Sequence, residues 1–141
     1  MVNVTSEVGR LRKVLVHQPG PEVDVMVPSM MEELLFDDIL YGERAREEHG
    51  LFRRALQVLG VEVVDAQDLL EDVLGDKVGR EFTLEAMLPP GSGPLRARLM
   101  DASSEDLAKA LVGGVRLPTG TAQVLDISDL FEIPPLPNWC F

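Results

Sequence analysis

Two adjacent carboxylates, Asp37 and Asp38, follow the apolar run Leu34-Leu35-Phe36. A strand signal at Val14–His17 precedes them and a long amphipathic helix signal, from about Glu43 to Leu59, follows. Paired acids at such a junction have three chemical uses. They can ligate a cation, hold a guanidinium by bidentate hydrogen bonds, or cap the following helix, since Asp is a preferred N-cap. The other candidates are Cys140, His17 and His49. One thiol with two imidazoles and an acid is the inventory of a nucleophilic site, but such a site is recognised by geometry rather than by inventory. Cys140 reads better as a small packed hydrophobe, His17 as a histidine at the edge of the core, and His49 as a packing or capping residue within the long helix. The sequence has no His-Glu-x-x-His, no Cys-x-x-Cys and no EF-hand loop, and so no metal site is expected. It has no Gly-x-Gly-x-x-Gly and no P-loop, so no nucleotide cofactor is expected either.

Composition narrows the partners. The chain has 141 residues, 45% of them hydrophobic, which suits one domain with a real core. A net charge of −11 argues against a nucleic-acid partner, which needs a basic face. It is compatible with a cationic small substrate. A single cysteine makes no internal disulfide. No apolar run approaches a membrane span, and no leader pattern opens the chain, so the expectation is a cytoplasmic protein without a membrane partner.

The elements that must position these groups follow from periodicity. Val14-Leu15-Val16 is a short β-branched and apolar run, read as a buried strand that stops at Gln18-Pro19-Gly20-Pro21. Glu22–Met31 has no clear period and reads as a connecting loop. In the long helix Tyr41, Ala45, Phe52, Ala55, Leu56 and Leu59 share one side and most of the charged residues the other. Glu43 and Arg46 are spaced for an i,i+3 pair, and Gly60 suits the end of the helix. Val61-Glu62-Val63-Val64 reads as a second buried strand. Strand, crossover helix, strand makes a parallel β-α-β unit.

After Val64 the period becomes helical. Asp65 and Asp68 are placed to cap a helix ending before Gly75; Val78, Phe82 and Ala86 suggest another helical face; Leu95–Met100 is a short helical piece. Ser103-x-x-Asp106 resembles a capping box, with Asp in the Glu/Gln place, and Leu107, Ala108, Leu111 and Val112 follow before Gly113-Gly114. The expected organisation is therefore residues 1–64 as a first α/β segment, 65–114 as a helical insertion, and 115–141 as a return to the α/β part. The last part is turn-like at Leu117–Gly120, mixed over Val124–Ile133 and extended at Pro134–Pro137.

Several stretches resemble arginine deiminases. Val4–Gly20 is similar to the opening of that family, and Glu33–Asp38 resembles its Leu-Leu-Phe-Asp-Asp segment. Glu47-Glu48-His49 and Gly60-Val61-Glu62-Val63 continue in order. Leu136-Pro137-Asn138-x-x-Phe141 resembles the family's Pro-Asn-x-x-Phe-x-Arg-Asp motif. The helical insertion is similar in character to the family's helical module. The resemblance implies a five-bladed α/β propeller of the pentein type, of which this chain would be part. It also implies hydrolysis of L-arginine to L-citrulline and ammonia, or amidino transfer, with no cofactor. In that mechanism a cysteine thiolate attacks the guanidinium carbon, a histidine moves protons and two acids hold the guanidinium.

By the same resemblance the first guanidinium-binding Asp follows the Pro-Asn-x-x-Phe motif, beyond Phe141, and the Glu, His and nucleophilic Cys lie further on. Cys140 stands where the family has an aromatic residue and so is not the nucleophile. The implied substrate-lining residues are Asn138, Phe141 and, in the pocket wall, Leu35; Asp37 and Asp38 are left between guanidinium contact and buried pairing. The expectation is the N-terminal piece of an arginine deiminase-like enzyme, inactive alone and completed by a C-terminal fragment or by self-association. A stand-alone binding module made from the first blade, or a fragment of an amidinotransferase, is the alternative.

Overall fold

The computed structural model describes residues 4–24, 31, 38–88, 90–116 and 131–133. Strand β1 (Lys13–Val16) runs into a one-turn helix α1 (Pro21–Asp24). The long helix α2 (Gly42–Val58) and strand β2 (Glu62–Asp65) follow. β1 and β2 pair in parallel, with Val14 opposite Val63 and Val16 opposite Asp65. The connection is the β-α-β unit that the apolar runs and the helical period required. Gly60 sits just past the end of α2 at φ +77°, where a side chain would be strained.

Four helices then occupy the span after Asp65: α3 (Ala66–Gly75), α4 (Lys77–Met87), α5 (Gly93–Asp101) and α6 (Ser104–Gly113). Each start except that of α5 has a side-chain cap. Asp65 accepts from Gln67 N at 3.0 Å, Asp76 from Gly79 N at 2.9 Å and Ser103 from Asp106 N at 3.0 Å, each satisfying an orphan donor. The Ser103 hydroxyl in turn donates to Asp106 Oδ2 at 2.7 Å, so the box closes through side chains. A short antiparallel pair, β3 (Val115–Arg116) and β4 (Phe131–Ile133), ends the described chain. The architecture is mixed α and β with helices dominant, consistent with the α/β class.

The core sits among the four helices. Leu74, Leu84, Leu107 and Leu111 are fully buried there, joined by Met87, Leu95, Leu99 and Ala108. Each fully buried leucine contributes about 1.5–3 kcal/mol. Arg80 ties the bundle from within. Its guanidinium donates to the carbonyls of Leu74 at 2.9 Å, Met100 at 2.9 Å and Ala102 at 2.6 Å, joining the exits of α3 and α5.

The sheet is thinner than its sequence suggested. β1 alternates exposed and half-buried residues, with Leu15 60% exposed, and β2 buries only Asp65 fully. On α2, Tyr41, Phe52 and Leu59 of the expected inner side are exposed. Two strands are too narrow to cover a helix of that length. The covered side is instead marked by Gly42, Ala45, Arg46, His49, Arg53 and Leu56. The Glu43–Arg46 pair does not form: Arg46 bonds Asp24, and Arg44 supplies the ion pairs along the helix, to Glu47 and Glu48. Val78 and Phe82 are both 72% exposed, and α4 turns Leu84 and Met87 inward instead.

Replacing Arg80 by Met orphans three carbonyls at once. Urea unfolding should show a loss of about 2 kcal/mol or more; an unchanged midpoint would remove Arg80 from this role.

Candidate functional site

The carboxyl ends of two parallel strands lie side by side, and in α/β structures this is where ligands are received. Here Val16 and Asp65 are register partners at that edge. Beyond β1 the chain turns at Gln18-Pro19-Gly20 and enters α1, which brings Glu22 back over the strand end. Its Oε1 accepts from Gly20 N at 2.7 Å and pairs with His17 Nε2 at 3.0 Å. Glu22 is buried, and its Oε2 has no hydrogen-bond partner among the described residues. At the end of β2, Asp65 is also buried. One oxygen caps α3, and the other accepts from Arg53 Nη1 of α2 at 2.9 Å. The same nitrogen reaches Gln18 Oε1 at 3.3 Å, across to the other strand's exit.

Between these exits lies an open cleft of about 280 Å³, lined by Gln18, Pro19, Gly20, Arg53, Asp65, Gln67 and Asp68. That is near the lower bound of small-ligand pockets, roughly 300 Å³. Its wall offers amide groups, one carboxylate beyond the Arg53–Asp65 pair and one guanidinium. Such a wall can hydrogen-bond a polar ligand. Among the described residues it contains no nucleophile, and no group of three or more His, Cys, Asp or Glu is arranged to hold a metal ion.

The titrating groups are coupled through this edge. The hydrogen bond to Glu22 holds His17 above its ordinary value, against the effect of burial, with the Asp65 carboxylate adding to the rise. Burial alone would push Glu22 up, but its bonds to His17 and Gly20 outweigh it and hold the carboxyl below its ordinary value. Burial, together with the Arg53 cation, pushes His49 down. The ring of His49 tilts against Phe52, and its Nδ1 is buried without a partner among the described residues.

With this geometry in view, comparison with known proteins is decisive. The arginine deiminase family model matches residues 32–141. The chain belongs to the arginine deiminase family. It is 32% identical to an arginine deiminase of Borrelia garinii subsp. bavariensis over 99% of its own length and 38% of that protein. It is 36% identical to one of Streptococcus pyogenes over 94% of its length and 32% of the relative. An arginine deiminase of Limosilactobacillus reuteri matches at 32% identity over 99% of this chain and 38% of the relative. The chain thus spans about a third of the length of the curated relatives it matches.

Of the residues singled out in the sequence, Leu35, Asp37, Asn138, Cys140 and Phe141 lie outside the described residues. Asp38 is described and is neither a cap of α2 nor buried. It is exposed, and its Oδ1 accepts from the adjacent Ile39 N at 2.8 Å. The N-cap of α2 is Tyr41, which makes no side-chain cap bond. His17 is tied to a carboxylate five residues on, a partner hidden in a stretch that reads as an aperiodic loop. Asp65 was legible as a cap, but its second role was not, because Arg53 sits among solvated charges on a helix. The available signal was the pair of acids, Asp65 at the end of β2 and Glu22 in the short helix that follows β1.

Linkage fixes the pH behaviour of the His17–Glu22 pair. A raised His17 stabilises the fold fully below the ordinary imidazole value of about 6.5, and this is lost as pH rises through the raised value. A lowered Glu22 contributes above the ordinary carboxyl value of about 4.3, and this is lost as pH falls through the depressed value. The pair therefore contributes most between those two values. An NMR titration should place the His17 midpoint above 6.5 and bring it down in Glu22→Gln; a midpoint unmoved by that substitution would break the assignment.

Proposed function

We propose that this chain forms the first part of an arginine deiminase-type enzyme, which hydrolyses L-arginine to L-citrulline and ammonia. In this reading the chain supplies wall residues of the substrate pocket and none of the reacting groups. The observation that carries the reading is the family match over residues 32–141 in a chain that aligns to about a third of the length of its relatives. The family's motif order supports it. The stretch at Leu136–Phe141 matches up to the point before the first guanidinium-binding acid, and the sole cysteine, Cys140, stands at a position that the motif fills with an aromatic residue.

The proposed roles follow from chemistry. Asn138 donates and accepts through one amide and so orients the substrate or its neighbouring acids. Phe141 stacks on the planar guanidinium, a contact of roughly 0.5–2 kcal/mol depending on desolvation. Leu35 closes the pocket wall. The thiolate that attacks the guanidinium carbon, the histidine that moves the proton to the departing ammonia, and the paired acids come from the remainder of the enzyme. The fold proposed for the whole is the pentein propeller, with residues 1–64 and 115–141 in the propeller and 65–114 inserted as the helical module.

The exposed apolar residues of the β-α-β unit support a covering partner. Leu15, Leu51, Phe52, Val58 and Leu59 are all more than half exposed, and exposed apolar surface of this kind marks contact sites when it is contiguous. The proposed cover is the C-terminal remainder of the enzyme or, if the chain acts alone as a binding module, a second copy. No helix among the described residues is long and apolar enough to cross a membrane; a cytoplasmic location is part of the proposal.

The purified 141-residue chain should produce no citrulline from arginine, and Cys140→Ala should change nothing. In an active longer polypeptide carrying this sequence, Asn138→Ala and Phe141→Ala should each lower kcat/KM roughly tenfold, about 1.4 kcal/mol of transition-state binding. Citrulline production by the chain alone, abolished by Cys140→Ala, would overturn the reading.

A further inference from the structure

The helices α3 and α4 carry apolar residues that the core beneath them does not use. On α3, Leu69 and Val73 are 46% and 49% exposed; on α4, Val78 and Phe82 are both 72% exposed. Each pair is spaced i,i+4, so each forms a stripe along one side of its helix. The stripes adjoin where the helices pack. Gly79, next to Val78 and one turn before Phe82, rests against Val73. A Cβ built on Gly79 would overlap the Val73 carbonyl oxygen and lie 2.9 Å from Val73 Cγ1. The missing side chain therefore lets the two helices approach, and Arg80 fixes α4 to the end of α3 from inside.

The sequence edges this face with one sign of charge. Every one of the four apolar residues has a carboxylate three positions on: Asp72 after Leu69, Asp76 after Val73, Glu81 after Val78 and Glu85 after Phe82. Residues three apart are neighbours on a helix surface. The only basic residues of α3 and α4 are Lys77 and Arg80. Lys77 is drawn to Glu81 at 3.9 Å, and Arg80 is turned inward onto backbone carbonyls. Asp72 and Glu85 are exposed and have no ion-pair partner among the described residues. An exposed apolar patch with a polar rim marks a contact site for another macromolecule. A second copy presenting the same face would set acid against acid, which disfavours association.

We propose that the α3–α4 face docks a cationic amphipathic helix of a separate partner polypeptide. The partner's apolar stripe lies against Leu69, Val73, Val78 and Phe82, the pattern by which amphipathic helices are received on apolar surfaces. Its flanking Lys or Arg residues meet Asp72, Glu81 and Glu85. Phe82 is the anchor, because it is the largest of the four and aromatic side chains dominate interface energetics. The carboxylates select the sign of the partner more than they add affinity. The inference stands on the geometry and charge of α3 and α4 and does not depend on the arginine deiminase reading. The apolar residues for which a covering remainder is proposed above lie on β1 and α2 or just past its end instead.

Fluorescence anisotropy with the 141-residue chain tests this. The probe is a labelled helical peptide with leucines at i, i+3, i+4 and i+7 and lysines on either side of them. It should bind, and a peptide with the same leucines but glutamate for lysine should bind about tenfold more weakly or not at all. Phe82→Ser should weaken the lysine peptide about tenfold, and Phe82→Leu should keep most of the binding. Both substitutions are at an exposed position, so the melting temperature should stay within about two degrees of the parent. Asp72→Asn combined with Glu85→Gln should narrow the difference between the two peptides to about threefold. Equal binding of the two peptides, or lysine-peptide binding unmoved by Phe82→Ser, would overturn the proposal. Sedimentation that shows a dimer of the parent dissolving in Phe82→Ser would assign the face to a second copy and overturn it as well. So would a longer polypeptide carrying this sequence that no longer takes the peptide, since the face would then be covered by the polypeptide's own remainder.

Discussion

The buried carboxylate of Asp65 is the constraint on which the arrangement depends. It ends β2, caps α3 with one oxygen and takes Arg53 of α2 with the other. Removing a charge from water is costly unless it is paired and hydrogen-bonded, and this one is both. Its partners are the crossover helix and the first helix of the bundle, so one side chain joins the two halves of the described chain. Arg53 carries the link onward to Gln18 and so to the exit of β1. The parallel register fixes Val16 beside Asp65; the ion pair fixes what stands above them.

The two halves are stabilised by different physics. The helical bundle has a core in which Leu74, Leu84, Leu107 and Leu111 have no exposed surface, and there packing sets the geometry. None of the residues lining the strand-end cleft belongs to that core. His17–Glu22, Arg53–Asp65 and Arg46–Asp24 hold it through directional bonds whose lengths are near 3 Å. A site held in this way keeps its geometry through charge. The raised His17 and the lowered Glu22 follow from the same contacts.

Much of the backbone was legible in the residues. The β-branched runs at Val14 and Val63, the helical period after Gly42, the glycine at 60 and the caps at Asp65 and Ser103 all gave elements where the structure has them. Burial was less legible. Periodicity assigns an inner face, but how much of it is covered depends on the width of the sheet opposite, so Phe52, Leu59 and Leu15 were expected inside and are exposed. The site was legible at its strand ends and hidden in its partners. Glu22, Arg46 and Arg53 meet His17, Asp24 and Asp65 across 5, 22 and 12 residues, and no local period encodes those pairings. Of the family motifs, residues 33–37 and Leu136–Phe141 lie outside the described residues.

The most direct measurement of the role assigned to Asp65 is a double-mutant cycle of Arg53→Met and Asp65→Asn, followed by urea unfolding. Asparagine keeps an oxygen for the α3 cap while removing the charge, so the cycle isolates the ion pair. A shared, buried pair predicts a coupling of about 1–3 kcal/mol. Additivity to within about 0.5 kcal/mol would contradict it, and would mean that the strand-end cleft is held by packing rather than by this carboxylate.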